Sequence, residues 1–263
     1  MKFLRNLLAA LVALMIFFGF GTLLFFMIFG AITAEEPVNV KDNSILKIKL
    51  NVPVGERSLE DPLAEALGAG AGKVGVIEMT EAIAYAKDDD KIKGIYLDAS
   101  VILAGYAQME EIREALIDFR TSGKFVVTYS EIFSEGAYYL ASAADKIFLN
   151  PQGQVEFNGL SAQVMFFKGT FEKLGVEAQV FKVGDFKSAI EPFVRTDMSD
   201  SNKLQVKYLL DGLYDHTIEN IAEQREMDKD ELMKISDEML VRNAKDALKY
   251  GLVDELTYYD QVL

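Results

Sequence analysis

The sequence predicts an α/β protein in which a mainly parallel sheet is covered by helices, preceded by one N-terminal transmembrane helix. Two observations support this prediction. Short apolar runs alternate with amphipathic segments from residue 44 onwards, the pattern of strands joined by helices. An uncharged, mostly apolar run covers residues 7–34, which is longer than the roughly 20 residues that a helix needs to cross a bilayer. The chain has 263 residues, enough for one large domain or two small ones.

The N-terminal run is expected to be a single-pass signal anchor. Lys2 and Arg5 precede it, so the positive-inside rule places residues 1–6 in the cytoplasm and the rest of the chain on the outer side of the cytoplasmic membrane. A cleavable signal peptide has an apolar region of about 7–15 residues, and residues 7–34 exceed that length. Cleavage after Ala34 is the alternative.

The anchor is followed by a linker and then by the folded domain. Residues 35–43 are polar and contain Pro37, which favours a linker, and residues 44–263 are expected to form the α/β domain. Its first strand is predicted at residues 44–50, where apolar and polar side chains alternate. Residues 53–75 hold two prolines and five glycines, which indicates a flexible loop.

Strands and helices then alternate to the end of the chain. Gly123 and Gly175 each follow a predicted helix, where glycine favours the left-handed turn that ends helices. Further strands are predicted at residues 94–98, 125–129, 146–149 and 177–183, and helices at residues 76–87, 108–122, 134–144, 162–174, 203–224, 229–234 and 244–250.

Composition excludes several classes of function. The formal net charge is −14, which argues against a nucleic-acid partner because phosphate binding needs clustered Lys and Arg. There are no cysteines, so disulfides, thiol catalysis and cysteine zinc sites are excluded. His216 is the only histidine, among polar helix neighbours, which argues against a Ser-His-Asp triad and a metalloprotease site.

One lysine stands out as a candidate catalytic group. Lys187 follows the Gly184 turn within a largely apolar stretch. A lysine held in an apolar pocket has a lowered pKa, so its neutral amine can accept a proton near pH 7. The residues alone leave a surface lysine at the start of a helix as the alternative. Ser188 follows directly, but adjacent side chains diverge, which favours a structural role for it.

The surrounding motifs resemble those of the signal peptide peptidase A (protease IV) family, membrane-anchored Ser-Lys serine peptidases of the ClpP/crotonase-like fold. Residues 184–199 (GDFKSAIEPFVRTDMS) resemble the lysine segment of that family. Residues 134–151 resemble its SGGYYIA…ADKI…NP segment, and residues 243–254 its closing signature. The resemblance implies a spiral of mainly parallel strands, Lys187 as general base, no cofactor and no metal, and ring-like homo-oligomers.

The nucleophile of the short members of that family, the serine of SGGYY, is missing at the matching position. Aligned on Gly136 and the tyrosine pair, the serine of SGGYY corresponds to Glu135, and Ser134 lies one residue too early. A one-residue shift re-aims a side chain by about 100° on a helix, so Ser134 is a poor substitute. The resemblance assigns substrate binding to Gly136 and to Gly105, where only one glycine remains of a Gly-rich turn that offers N–H groups to an oxyanion.

The long members of the family carry the lysine in a first half and the serine in a second. The chain resembles the first half, so we expect the lysine-bearing half of a serine endopeptidase acting on cleaved signal peptides and short apolar peptides. Its serine would come from another domain or subunit, and the isolated chain would be inactive. The alternative is an inactive scaffold or regulatory subunit that binds apolar peptides or a peptidase partner. A crotonase-type acyl-CoA enzyme fits poorly, because acyl-CoA is cytoplasmic.

Overall fold

The N-terminal segment forms one long helix. The computed structural model describes residues 2–32, 39–58 and 74–262. Helix α1 (Lys2–Ile32) has 31 residues and, at 1.5 Å per residue, is about 45 Å long. Within its stretch Lys2–Gly30, an 18-residue window has a mean hydropathy of 2.6. By length and composition this helix is able to cross a membrane.

The rest of the described chain is an α/β domain, as the sequence predicts. Five parallel strands form its main sheet in the order β1-β4-β5-β6-β7, and β2 and β3 form a separate parallel pair. The strands are β1 (Ser44–Lys49), β2 (Val54–Gly55), β3 (Val74–Gly75), β4 (Ile92–Asp98), β5 (Phe125–Phe133), β6 (Lys146–Val155) and β7 (Glu255–Leu256).

Helices join these strands and cover the sheet. They are α2 (Val76–Asp88), α3 (Tyr106–Arg120), α4 (Glu135–Ala141), α5 (Lys168–Leu174), α6 (Glu191–Val194), α7 (Asp200–Arg225), α8 (Lys229–Asp237), α9 (Ala244–Lys249) and α10 (Tyr259–Val262), with a 3₁₀ helix at Ser188–Ile190.

The core lies where the central strands meet the first helices of the domain. Ile95 and Leu97 of β4 and Val126 of β5 are fully buried, as are Ile112 and Leu116 of α3. Helices α2 and α3 pack against each other, and α3 contacts β5. Burial of an aliphatic side chain contributes about 1.5–3 kcal/mol, so this layer fixes the strand ends that carry the site.

Most predicted elements are confirmed, with shifted ends. Strands β5 and β6 run on to Phe133 and Val155, beyond the predicted ends, and α5 begins only at Lys168. Gly123 and Gly175 have φ of 79° and 67°, as predicted for residues that end helices. Residues 35–38 of the predicted linker and residues 59–73 of the predicted loop lie outside the described residues.

The strand predicted at residues 177–183 is wrong. These residues belong to no strand or helix, and no backbone hydrogen bond is described for them. Their alternating pattern is that of a strand, but within the described chain no neighbouring strand pairs with them. A strand exists only when its N–H and C=O groups find partners.

Candidate active site

The first part of the candidate site is the N-terminus of α4. Strand β5 ends at Phe133, and Ser134 then adopts extended backbone angles as the N-cap of α4. Its Oγ accepts a hydrogen bond from the N–H of Ala137 at 3.3 Å. The Ser134 hydroxyl therefore satisfies one of the free N–H groups at the helix start.

Glu135 is the first residue of α4 and joins this helix to the loop after β6. Its carboxylate oxygens accept hydrogen bonds from the backbone N–H groups of Gly159 at 3.2 Å and Asn158 at 3.4 Å. Burial raises the pKa of the half-buried Glu135 carboxyl, and the hydrogen bonds from Asn158 and Gly159 oppose this effect. A carboxylate in this setting holds the loop in place and offers no hydroxyl for nucleophilic attack.

The two glycines predicted to bind substrate lie at the starts of two helices. Gly105 is the exposed N-cap of α3, and its N–H donates to Oε1 of Gln108 at 2.9 Å. Gly136 follows Glu135, and a Cβ atom there would lie 3.0 Å from Sδ of Met109. Gly136 thus permits a close approach of α4 and α3, while the N–H of Gly105 is already occupied by its own helix.

Lys187 is the last residue of a segment outside helices and strands, residues 176–187, which we call the lysine arm. Gly184 turns the arm with φ of 92°, a conformation that favours glycine. Lys187 directly precedes the 3₁₀ helix. Its side chain is exposed, and its ammonium makes no hydrogen bond or ion pair within the part of the chain that the structure describes.

The expected apolar setting of Lys187 is present but open to solvent. A groove of about 470 Å³ is bounded by Lys187 and by apolar neighbours that include Phe181, Val183, Phe186 and Ile190. Phe181 is 94% exposed and Val183 is 89% exposed. The arm thus supplies one apolar wall for the lysine, and the structure does not bring Lys187 into contact with Ser134 or Glu135 among the described residues.

A buried carboxylate that was not among the predicted site residues lies four residues after Lys187. Glu191, 1% exposed, accepts hydrogen bonds from Ser199 N–H at 3.0 Å, from the Ser199 hydroxyl, and from Nδ2 of Asn202 at 2.9 Å. The Ser199 hydroxyl, followed by the Ser199 N–H and Asn202, holds the pKa of Glu191 below its usual value. Glu191 therefore ties the helix after Lys187 to the start of α7. The sequence signal that could have identified Glu191 is an acidic residue within the apolar run Ile190–Phe193.

His216 lies apart from any serine. It sits on α7, where its Nε2 is 3.4 Å from Oε1 of Glu110 and 3.0 Å from Nδ2 of Asn220. Asn220 also donates to the Tyr139 hydroxyl, which bonds Glu110. This polar cluster joins α7 to α3 and α4, and His216 is an exposed member of it.

A mainly parallel sheet covered by helices carries both the turn into α4 and the lysine arm. Residues 118–263, more than half of the chain, match Peptidase family S49, and the chain belongs to that family. It is 33% identical to Protease 4 of Haemophilus influenzae over 230 residues, 85% of this chain and 37% of that protein.

Two further relatives support the same assignment. The chain is 36% identical to Protease 4 of Salmonella typhi over 189 residues, which are 69% of this chain and 31% of that protein. It is 28% identical to the chloroplastic serine protease SPPA of Arabidopsis thaliana over 226 residues, 85% of this chain and 32% of that protein. The chain thus spans about a third of the length of these relatives.

Proposed function

We propose that the chain is the lysine-bearing part of a membrane-anchored serine endopeptidase, and that its catalytic serine comes from another domain or subunit. The proposal rests on the expected alignment of Glu135 with the family's serine and on the contacts that Glu135 and Ser134 make. Its carboxylate is engaged by Asn158 and Gly159, and the neighbouring Ser134 caps α4. The matching turn therefore holds a structural carboxylate where a nucleophile is needed.

Lys187 would act as the general base of the completed enzyme. Its neutral amine would take the proton of the serine hydroxyl, and the serine oxygen would attack the carbonyl carbon of a peptide bond. The C–N bond would then break as the Lys187 ammonium gives its proton to the leaving amine. Water would hydrolyse the resulting acyl-enzyme, releasing the carboxylic acid product and restoring the serine hydroxyl. The open apolar groove beside Lys187 supports this division of roles, because a docked serine-bearing surface would close the groove and exclude water from the amine.

The anchor and the groove support a substrate class. We propose cleaved signal peptides and other short apolar peptides, which α1 would keep within reach by holding the site at the outer face of the cytoplasmic membrane. Lys2 and Arg5, before the apolar stretch, favour this orientation. Gly136, beside the nucleophile position, and Gly105 are the proposed substrate-binding positions, with Gln108 displaced from the N–H of Gly105 when substrate binds.

A complementation experiment tests the separate supply of serine and lysine. Wild-type chain in detergent should leave a fluorogenic apolar peptide ester intact. A double variant with Glu135→Ser and Lys187→Ala carries only the serine and should also be inert. Mixing the two should produce hydrolysis, because one chain then supplies the base and the other the nucleophile. A double variant with Glu135→Ala and Lys187→Ala is the matched control and should give no hydrolysis in the mixture.

Two results would contradict the proposal. Hydrolysis by the wild-type chain alone, abolished by Lys187→Ala, would place the nucleophile within these 263 residues. Activity of the single variant Glu135→Ser, with no activity in the mixture, would show that serine and lysine meet within one chain.

The second candidate function is an inactive subunit that binds apolar peptides or a peptidase partner. The occupied N–H of Gly105 and the structural role of Glu135 favour it. Binding of an apolar peptide that is unchanged by Lys187→Ala, with no hydrolysis in any mixture, would support this function.

A further inference from the structure

The backbone between Lys187 and Glu191 forms one short, hydrogen-bonded turn. Lys187 directly precedes the 3₁₀ helix at Ser188–Ile190, and α6 follows at Glu191. The N–H of Glu191 donates to the carbonyl of Ser188, and the carbonyl of Glu191 accepts from the N–H of Arg195 at 2.8 Å. Because a hydrogen-bonded turn moves largely as one piece, the position of Glu191 sets where the backbone of Lys187 lies.

The side chain of Glu191 fixes this turn to the start of α7. Its Oε2 accepts from the N–H of Ser199 at 3.0 Å and from Nδ2 of Asn202 at 2.9 Å, and its Oε1 accepts from the Ser199 hydroxyl. Glu191 and Asn202 are both buried. Three donors therefore converge on one buried carboxylate, and hydrogen bonds to a charged acceptor are roughly twice as strong as those between neutral groups.

Helix α7 is itself held by the domain core. Its second half carries the fully buried side chains of Ile218 and Ile221, and α7 also packs against α8. The Glu191 carboxylate thus connects the turn that carries Lys187 to a helix that the core holds in place.

The aromatic and ionic links described for the same segment reach no buried side chain. Phe193 of α6 stacks on Phe167 and Phe171, but α5, to which Phe171 belongs, has no buried residue. An ion pair joins Lys203 of α7 to Asp197 at 3.9 Å between exposed side chains, and such pairs contribute little to stability. Among the described contacts, the buried polar link to the core therefore runs through Glu191.

We propose that Glu191 is a positioning residue for Lys187, acting through Ser199 and Asn202 on the turn that presents the lysine amine. The Lys187 side chain is exposed, so the backbone of this turn decides where the amine can reach. Misplacing a catalytic group by about 1 Å can lower a rate roughly a hundredfold. The catalytic consequence rests on the proposed function of Lys187 as general base, whereas the fixed position of the turn does not.

Distance measurements test the position directly, because the chain has no cysteine of its own. The full chain with Lys187→Cys and Tyr85→Cys carries two nitroxide labels. Tyr85 is an exposed residue of α2. Pulsed electron paramagnetic resonance in mild detergent, with excess unlabelled chain, then gives the distribution of the distance between the labels. Glu191→Ala should broaden this distribution, and Asn202→Ala, the milder change, should broaden it as well and keeps the test decisive if Glu191→Ala does not fold.

Two controls separate local from general loosening. Labels at Tyr85 and at Tyr208, an exposed position on α7, should keep their distance distribution in the Glu191→Ala chain. Asp197→Ala removes the exposed ion pair with Lys203 and should leave both distributions as in the wild type. An unchanged distribution between positions 85 and 187 would overturn the proposal. Broadening for both label pairs would overturn it too, since Glu191 would then stabilise the domain as a whole.

Kinetics test the catalytic consequence. The lysine-bearing chain with Glu191→Ala, mixed with the double variant Glu135→Ser and Lys187→Ala, should hydrolyse the peptide ester with kcat lowered roughly a hundredfold and KM within about twofold of the wild-type mixture. Asp197→Ala should leave kcat unchanged. An unchanged kcat beside a broadened distance distribution would overturn the positioning role in catalysis. If the wild-type mixture gives no hydrolysis, the proposed function fails, and the label distances alone confirm or refute the fixed position of Lys187.

Discussion

Two carboxylates near the candidate site differ in what surrounds them, and their pKa values move in opposite directions. Burial raises the pKa of Glu135. Hydrogen bonds from the Ser199 hydroxyl and from the other donors lower the pKa of Glu191. A group whose pKa changes on folding makes the stability of the protein depend on pH. The two residues therefore give opposite pH trends, which separates their roles experimentally.

The stability of the Glu135→Gln variant, relative to that of the wild type, should increase as pH rises. The folded-state pKa of Glu135 lies above the ordinary value of 4.5, so its contribution to stability is present at low pH and is lost as pH rises through the folded pKa. Gln does not titrate and escapes this loss. Denaturant unfolding between pH 4 and pH 7 measures the trend, with Glu81→Gln on the exposed side of α2 as control. A flat difference across this range would contradict it.

The Glu191→Gln variant should show the opposite pH dependence of stability. The folded-state pKa of Glu191 lies below 4.5, so its stabilising contribution is present above that value and is lost as pH falls through the folded pKa. The variant should be less stable than the wild type at pH 7, and the deficit should shrink as the solution becomes more acidic than pH 4.5. Unfolding curves at both ends of this range decide the matter, and a deficit that grows in acid would refute the assignment.

At the scale of elements, the turn from β5 into α4 depends on its cap. Ser134→Ala should destabilise the protein by about 1 kcal/mol, because it removes the oxygen that accepts from the Ala137 N–H. Ser134→Asp should retain most of the stability. Neither change should reduce hydrolysis in the complementation mixture, since Ser134 is proposed to cap and not to attack. Loss of activity in both variants at unchanged stability would identify Ser134 as the nucleophile.

Strands that find a partner in the sheet were predictable from their pattern, whereas the structure of the lysine arm was not. The alternation in residues 44–50 predicts β1, and β4 lies beside it to bury that pattern. Residues 177–183 show a comparable pattern, yet pairing depends on which edge is available, which local sequence does not encode. The same limit applies to Glu191, because its buried bonds are to Ser199 and Asn202 across a turn.

At the scale of the whole molecule, the α/β class, the N-terminal apolar helix and the family followed from the sequence. The motifs around Lys187 and Glu135 point to a family, but the setting of each side chain depends on the assembled structure. Lys187 has its apolar neighbours and remains exposed, because the arm that carries it packs against little of the described domain. The residue pattern of one chain does not predict chemistry that requires a second protein surface to cover Lys187.

The position of β7 in the sheet has a consequence for the order in which the molecule folds during synthesis. Glu255 and Leu256 pair with Phe148 and Leu149 of β6, and the Asp254 carboxylate accepts from the N–H of Ile147. More than a hundred residues separate these partners, so the edge of β6 has no neighbour until the ribosome has made residue 254 and beyond. Contacts so distant in sequence form slowly. During translation, the β6 edge is therefore the part of the sheet that most needs protection from other nascent chains.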